Sequence, residues 1–124
     1  MAAARVRSMT PPGFIVGRSV HAREEAIQIA AGGSLDYLIF GAVFPTASKT
    51  ARPPAGLKAL ADVVAVTPIP VLAVGGMTEE TAAGLGHSRA AGFAAIGAFL
   101  DGDEQSLHAM VSKTTHAFDA PAVT

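Results

Sequence analysis

The chain has 124 residues, half of them hydrophobic and 15% charged, with a formal net charge of −1 and no cysteine. This is the composition of one globular, well-buried domain; it excludes disulfides and thiolate metal sites and offers no electrostatic footprint for nucleic acid or an anionic membrane surface. No apolar run approaches the length of a membrane span, and the opening stretch with Arg5 and Arg7 does not make a secretory signal, so a soluble cytoplasmic protein is expected.

Residues 1–12 are rich in Ala and Arg and end in Pro11-Pro12, so they read as the remnant of a helix or as a tail. Phe14-Ile15-Val16-Gly17 follows as a short strand. Ala22 to Ala31 is expected to be helical, with Glu24 and Glu25 in the first turn and a stripe of Ala26, Ile29 and Ala30. Gly32-Gly33 stops it. Tyr37 to Gly41 is a buried strand. It empties into a long loop, Ala42 to Ala55, stiffened by Pro45, Pro53 and Pro54. A loop of this length within one domain points to function or disorder.

A helix from Gly56 to Val66 presents Leu57, Leu60, Ala61 and Val64 at i, i+3, i+4, i+7. Val71-Leu72-Ala73-Val74 is an unbroken aliphatic run, as in a parallel strand covered on both faces. Gly75-Gly76 ends it, and Thr78 caps a short helix with Glu79 and Glu80 in its first turn. Gly92 to Gly97 is a fourth strand, and Asp101 or Asp103 caps a last helix through about Phe118.

The pattern is therefore four strand–loop–helix units, an α/β chain with a parallel sheet and right-handed crossovers. Four such units are half of a (β/α)₈ barrel; a doubly wound open sheet is the second choice, because no Gly-x-Gly-x-x-Gly follows the first strand. Residues with usable chemistry gather after each strand: Ser19 and His21, then Thr46, Ser48 and Lys49, then Gly75 and Gly76, then Gly97. In parallel α/β folds that end carries the ligand. Two hydroxyls and an ammonium within four residues can all direct donors at one anion, although such a loop is as often merely solvated. Gly75-Gly76 and Gly97 read either as tight turns or as a phosphate site of backbone amides. His21 reads equally as a solvated helix-start residue or as a proton donor and acceptor near neutral pH. His87, His108 and His116 fall in or beside helices and receive no role.

These pieces occur together as Gly17-Arg18-Ser19-Val20-His21, Asp36-Tyr37, Phe40-Gly41, Phe44-Pro45-Thr46-Ala47-Ser48-Lys49, Pro70-Val71, Gly75-Gly76-Met77-Thr78, and Gly92 with Ala95-Ile96-Gly97. In that order and spacing the chain resembles the second half of the thiamine phosphate synthase/TenI family. The likeness spans residues 13–118 and leaves a frayed tail at 119–124. It implies a TIM-barrel-like half barrel whose units correspond to strands five to eight. It also implies Ser19 and Lys49 near a pyrophosphate, Thr46 and Ser48 near a thiazole phosphate, and Gly76, Ile96 and Gly97 offering backbone to its phosphate, beside Gly75. His21 would be the proton-transfer residue of a TenI-type thiazole tautomerase, the chemistry favoured here.

The alternatives are a thiamine phosphate synthase completed by another half, with Mg2+, or a non-catalytic phosphate-binding module or truncated fragment. Met1-Ala2-Ala3-Ala4-Arg5 fits the interior of a helix in a longer protein. The implied partners are a small thiazole phosphate and a homodimer mate or complementing half barrel, with no nucleic acid and no membrane. The chain departs from the family in lacking its first half, strands one to four, in Gly97, where the synthase typically has Ser, and in Arg89, where a Gly is usual before the last strand.

Overall fold

The computed structural model describes residues 2–45, 53–95, 97–100 and 102–120. Its elements in chain order are α1 (Ala3–Ser8), β1 (Gly17–Val20), α2 (Arg23–Ala31), β2 (Tyr37–Gly41) and α3 (Gly56–Val66). Then come β3 (Val71–Val74), α4 (Glu79–Leu85), β4 (Gly92–Ala94), α5 (Gly97–Leu100) and α6 (Glu104–Asp119). The four strands lie in the order β1-β2-β3-β4, each parallel to the next. The order never reverses. Right-handed crossovers that always advance in one direction leave the helices on one face of the sheet. A doubly wound sheet needs a reversal point, so that alternative is excluded.

Burial follows from this one-sided winding. Val20, Leu38, Phe40, Val71 and Ala73 point to the helices and are buried with Leu60, Val63 and Leu85. The alternate positions, Tyr37, Ile39, Leu72 and Val74, lie on the other, concave face and are only partly buried. The third strand is thus covered on one face rather than both, as its unbroken aliphatic run had suggested.

Three further expectations are corrected. The first strand begins at Gly17, not Phe14, and Phe14 and Ile15 are exposed. Its register is pinned by Gly17 opposite Tyr37: a Cβ at Gly17 would collide with the Tyr37 ring. Before it, the Val16 amide donates to Asp36 Oδ2 at 2.8 Å and the Asp36 amide to the Val16 carbonyl at 2.8 Å, so the ladder starts only beyond Val16. On α3 the buried pair is Leu60 and Val63, while Leu57 is exposed. Lys58 and Asp62, one turn apart, must face water, and Leu60 and Val63 lie on the opposite side of the helix. The fourth strand ends at Ala94, and Gly97 opens α5 instead of closing the strand.

The remaining boundaries agree closely with the sequence pattern. Gly33 adopts φ +69 just beyond α2. Asp103 caps α6 by accepting from the Ser106 amide at 2.8 Å. Thr78 caps α4 in a reciprocal capping box with Thr81. α6 lies on α4, and its Phe118 packs against Phe93 of β4 with ring centroids 5.5 Å apart. None of the described helices is long and apolar enough to cross a membrane.

The face opposite the ligand end is held by Arg7 and Asp36. The Arg7 guanidinium reaches the Phe14 carbonyl at 2.7 Å, the Ser34 carbonyl at 3.0 Å and Asp36 Oδ2 at 2.9 Å. Two side chains thereby join α1, the lead into β1 and the lead into β2. Ala3 and Val6 of α1 pack against the core, so this helix is integrated into the fold. The Val16 amide, and then the Arg7 guanidinium, hold the Asp36 carboxyl below the ordinary carboxylate range.

A carboxyl with a depressed folded pKa stabilises above its unfolded value, about 3.9, and loses that contribution as the pH falls through the folded value. Asp36→Asn should therefore lower the thermal midpoint by on the order of a few degrees at pH 7. The gap to the unsubstituted chain should narrow as the pH falls below the unfolded value and through the lower folded one, read by circular dichroism across a pH series; a pH-independent gap would contradict the assignment. Arg89 adopts φ +65, the left-handed region that favours glycine, which accounts physically for the usual glycine there. Arg89→Gly should stabilise by up to about 1 kcal/mol in urea unfolding.

Candidate functional site

Three strands deliver their C-terminal ends to a common rim. Val20 leads into His21, Gly41 into Ala42-Val43-Phe44, and Val74 into Gly75-Gly76. The first and second meet through His21, whose Nδ1 lies 3.0 Å from the Gly41 carbonyl oxygen. A carbonyl only accepts, so Nδ1 carries the proton in this contact, and a neutral ring keeps its lone pair on Nε2. The His21 amide donates to Glu25 Oε1 at 2.7 Å, fixing the turn from β1 into α2. Glu25 therefore anchors the site as well as favouring the helix dipole. His21 is exposed, as a proton-transfer group must be to reach a ligand.

The second and third ends are packed together. The Val43 amide donates to the Val74 carbonyl at 3.0 Å and the Phe44 amide to the Gly75 carbonyl at 3.3 Å. The two feet of the long loop are joined as well: the Ala55 and Gly56 amides donate to the Ala42 and Val43 carbonyls, both at 2.8 Å. The loop is thus clamped at its base on the ligand end of the sheet.

Gly75 and Gly76 have φ +102 and +72. A Cβ on Gly75 would lie 2.6 Å from the Ala42 Cβ, and one on Gly76 would lie 2.7 Å from the Phe44 Cβ. Both glycines are required by backbone conformation and by the closeness of the neighbouring loop, whatever else they do. Thr81 Oγ1 donates to the Gly76 carbonyl at 2.9 Å and holds the turn from the helix side. Sequence reasoning found Thr78 and missed Thr81; the Thr78-x-x-Thr81 spacing of a capping box was the available signal.

The other expected residues are distributed as follows. Ser19 lies within β1, opposite Ile39, and so belongs to the concave face rather than to the loop beyond the strand. Arg18 lies on the helix-side register of β1, exposed, and forms no ion pair among the described residues. Gly97 stands at the start of α5, with open space where a Cβ would be. Thr46, Ser48, Lys49 and Ile96 lie outside the described residues. The rim that the structure brings together is therefore His21, the Gly41 carbonyl, and the Gly75-Gly76 turn against Ala42–Phe44.

The described residues do not fit a magnesium centre. Among them there is no group of three or more His, Asp or Glu side chains able to hold a metal ion. Asp36 is committed to Arg7 at the opposite end of the sheet, and Asp103 caps α6. Asp101 lies outside the described residues.

Comparison with known proteins places the chain in a family. The family described as thiamine monophosphate synthase (TMP-TENI) matches residues 1–99. A thiamine-phosphate synthase of Chlorobium phaeovibrioides is 41% identical over 93 residues, covering 74% of this chain and 44% of its own. One of Methanocella arvoryzae is 37% identical over 113 residues, covering 86% of this chain and 53% of its own. Among solved structures, a thiamine phosphate pyrophosphorylase of Pyrococcus furiosus superposes with a TM-score of 0.77 at 28% identity, covering 96% of this chain and 55% of its own.

The chain thus spans about half the length of the relatives it matches, and its four parallel strands with their helices match that TIM-barrel-like fold. The relatives' names favour the synthase alternative over the tautomerase reading preferred from the sequence. By these matches the chain belongs to the thiamine monophosphate synthase/TenI family.

Proposed function

We propose that the chain supplies one half of the ligand rim of a thiamine-phosphate synthase, the half that holds a thiazole phosphate. In the proposed reaction an aminopyrimidine pyrophosphate is coupled to that thiazole: a carbon–nitrogen bond forms, the carbon–oxygen bond to pyrophosphate breaks, and pyrophosphate leaves. The observation that carries this reading is that relatives aligned over most of the chain bear the name thiamine-phosphate synthase. The geometry supports it. The turn at Gly75-Gly76 brings backbone to the surface of the rim without side chains, and among the described residues the Gly76 amide has no hydrogen-bond partner. A phosphate accepts well from such amides. Thr46, Ser48 and Lys49 belong to the clamped loop, where an ammonium and two hydroxyls would add charge and direction. Ser19, on the concave face, and Gly97, at the start of α5, complete the proposed surround. The pyrophosphate and its magnesium would depend on a complementing half.

Calorimetric titration of the folded chain with thiazole phosphate tests this reading. Saturable binding is expected with and without magnesium. No pyrophosphate should be released by the chain alone, and release should appear when the first half of the Pyrococcus furiosus protein is added. Absence of binding in a sample shown by circular dichroism to be folded would overturn the proposal.

A second reading, thiazole tautomerisation, is favoured by one observation. The 3.0 Å contact with the Gly41 carbonyl leaves His21 a basic nitrogen at the rim. In His21→Asn the side-chain amide can still donate to Gly41, but no basic nitrogen remains. Any isomerase turnover of the chain should then fall by about 10²- to 10⁴-fold while thiazole phosphate affinity stays within a few-fold. Unchanged turnover would remove His21 from the chemistry.

A further inference from the structure

The Gly75-Gly76 turn depends on its neighbours for its shape. Its two residues, at φ +102 and +72, carry no side chains that would restrict them. Such a turn keeps one conformation only where other groups hold its peptides. Each peptide can be held by its carbonyl. In a trans peptide the C=O and the N–H point in opposite directions, so fixing the first aims the second.

The long loop holds the first peptide. The Gly75 carbonyl accepts from the Phe44 amide at 3.3 Å, which turns the Gly76 N–H of the same peptide away from Phe44. That contact is long and sets only the preceding side of Gly76. Helix α4 holds the second peptide, because the Gly76 carbonyl accepts from Thr81 Oγ1 at 2.9 Å. Gly76 itself lies against the loop, where a Cβ would meet the Pro45 carbonyl oxygen and the Phe44 Cβ. The residue is thus set between loop and helix. Among the described residues, the Thr81 hydroxyl is the one side-chain group bonded to the turn.

This hydroxyl is itself aimed. Its oxygen accepts from the Thr78 amide at 2.7 Å, and the Thr81 amide donates to Thr78 Oγ1 at 3.2 Å. The single hydroxyl proton is then left for a carbonyl, and that of Gly76 at 2.9 Å is nearer than that of Thr78 at 3.3 Å. A capping box is complete without a bond to Gly76. The additional bond ties the helix to the rim.

We propose that Thr81 is a positioning residue for phosphate binding: its hydroxyl holds the Gly76 peptide so that the Gly76 amide faces the ligand before the ligand arrives. This inference rests on the reading of the turn as part of a thiazole phosphate site. Thr81 acts through Gly76 and does not touch the phosphate. A turn that populates several shapes binds more weakly, in proportion to the fraction in the competent one.

The test combines calorimetric titration with thiazole phosphate and backbone ¹⁵N relaxation of the ligand-free chain, for the parent, Thr81→Val, Thr81→Ser and Ser88→Ala. Thr81→Val keeps the branched shape and loses the hydroxyl, whereas Thr81→Ser keeps the hydroxyl. Ser88→Ala removes a buried hydroxyl that donates to the Leu85 carbonyl at 2.6 Å, beyond the other end of α4. In Thr81→Val the dissociation constant should rise about three- to tenfold, and the order parameter of the Gly76 N–H should fall. Thr81→Ser should match the parent within about twofold in affinity. Ser88→Ala should lower the thermal midpoint and leave both affinity and order parameter unchanged.

A parent that binds, with Thr81→Val binding equally well, would overturn this proposal and leave the synthase reading standing. So would an unchanged Gly76 order parameter in Thr81→Val, or a loss of affinity in Thr81→Ser as large as in Thr81→Val. An equal loss in Ser88→Ala would reduce Thr81 to a general stabiliser of α4 and overturn the proposal as well. A folded parent that binds no thiazole phosphate would overturn the synthase reading and this inference with it.

Discussion

The constraint on which this structure depends is the direction of its crossovers. Each strand is followed by a helix, and each helix returns the chain to a parallel strand placed one step further along the sheet. Because the steps never reverse, the helices gather on one face. That single fact divides the apolar residues into two populations. Leu38, Phe40, Val71 and Ala73 meet the helices and are buried. Their immediate neighbours Tyr37, Ile39, Leu72 and Val74 meet a concave face that the helices do not cover.

The same winding separates stability from chemistry along the strand axis. At the strand starts, Arg7 and Asp36 join α1, β1 and β2 through charge-assisted hydrogen bonds. At the strand ends the contacts are of another kind: a histidine against a carbonyl, two loops laced by backbone bonds, and two glycines whose absent side chains let those loops meet. The first end resists change because its groups are mutually satisfied. The second leaves backbone and one imidazole facing outward, which is what a site for a small phosphorylated ligand requires.

Glycine illustrates how a structural requirement and a chemical opportunity coincide. Gly75 and Gly76 are demanded by positive φ and by the nearness of Ala42 and Phe44. That requirement accounts for both residues without a ligand, and it also exposes peptide groups that a larger residue would cover. Gly97 differs: a Cβ there would meet open space, so packing does not dictate its smallness. Gly17 serves register, since the Tyr37 ring occupies the place of its side chain.

Much of this was legible in the residue pattern. Strand–helix alternation announced a parallel sheet, Tyr37 to Gly41 and Val71 to Val74 were found at their observed bounds, and Gly33, Thr78 and Asp103 marked helix ends through conformations and hydrogen bonds that are local to a few residues. The rim was legible too, because in a parallel sheet position along the strand already assigns each loop to an end. What needed the tertiary structure was everything set by a partner distant in sequence. The start of the first strand moved from Phe14 to Gly17 because Asp36 and Tyr37, some twenty residues on, determine where the ladder begins. The buried side of α3 turned from Leu57 to Val63 because Lys58 and Asp62 claim the water side once the helix lies on the sheet. The pairing of His21 with the Gly41 carbonyl has no signature in either segment alone. Local conformation is written in neighbouring residues, whereas register, facing and contact are decided only when separate segments compete for the same space.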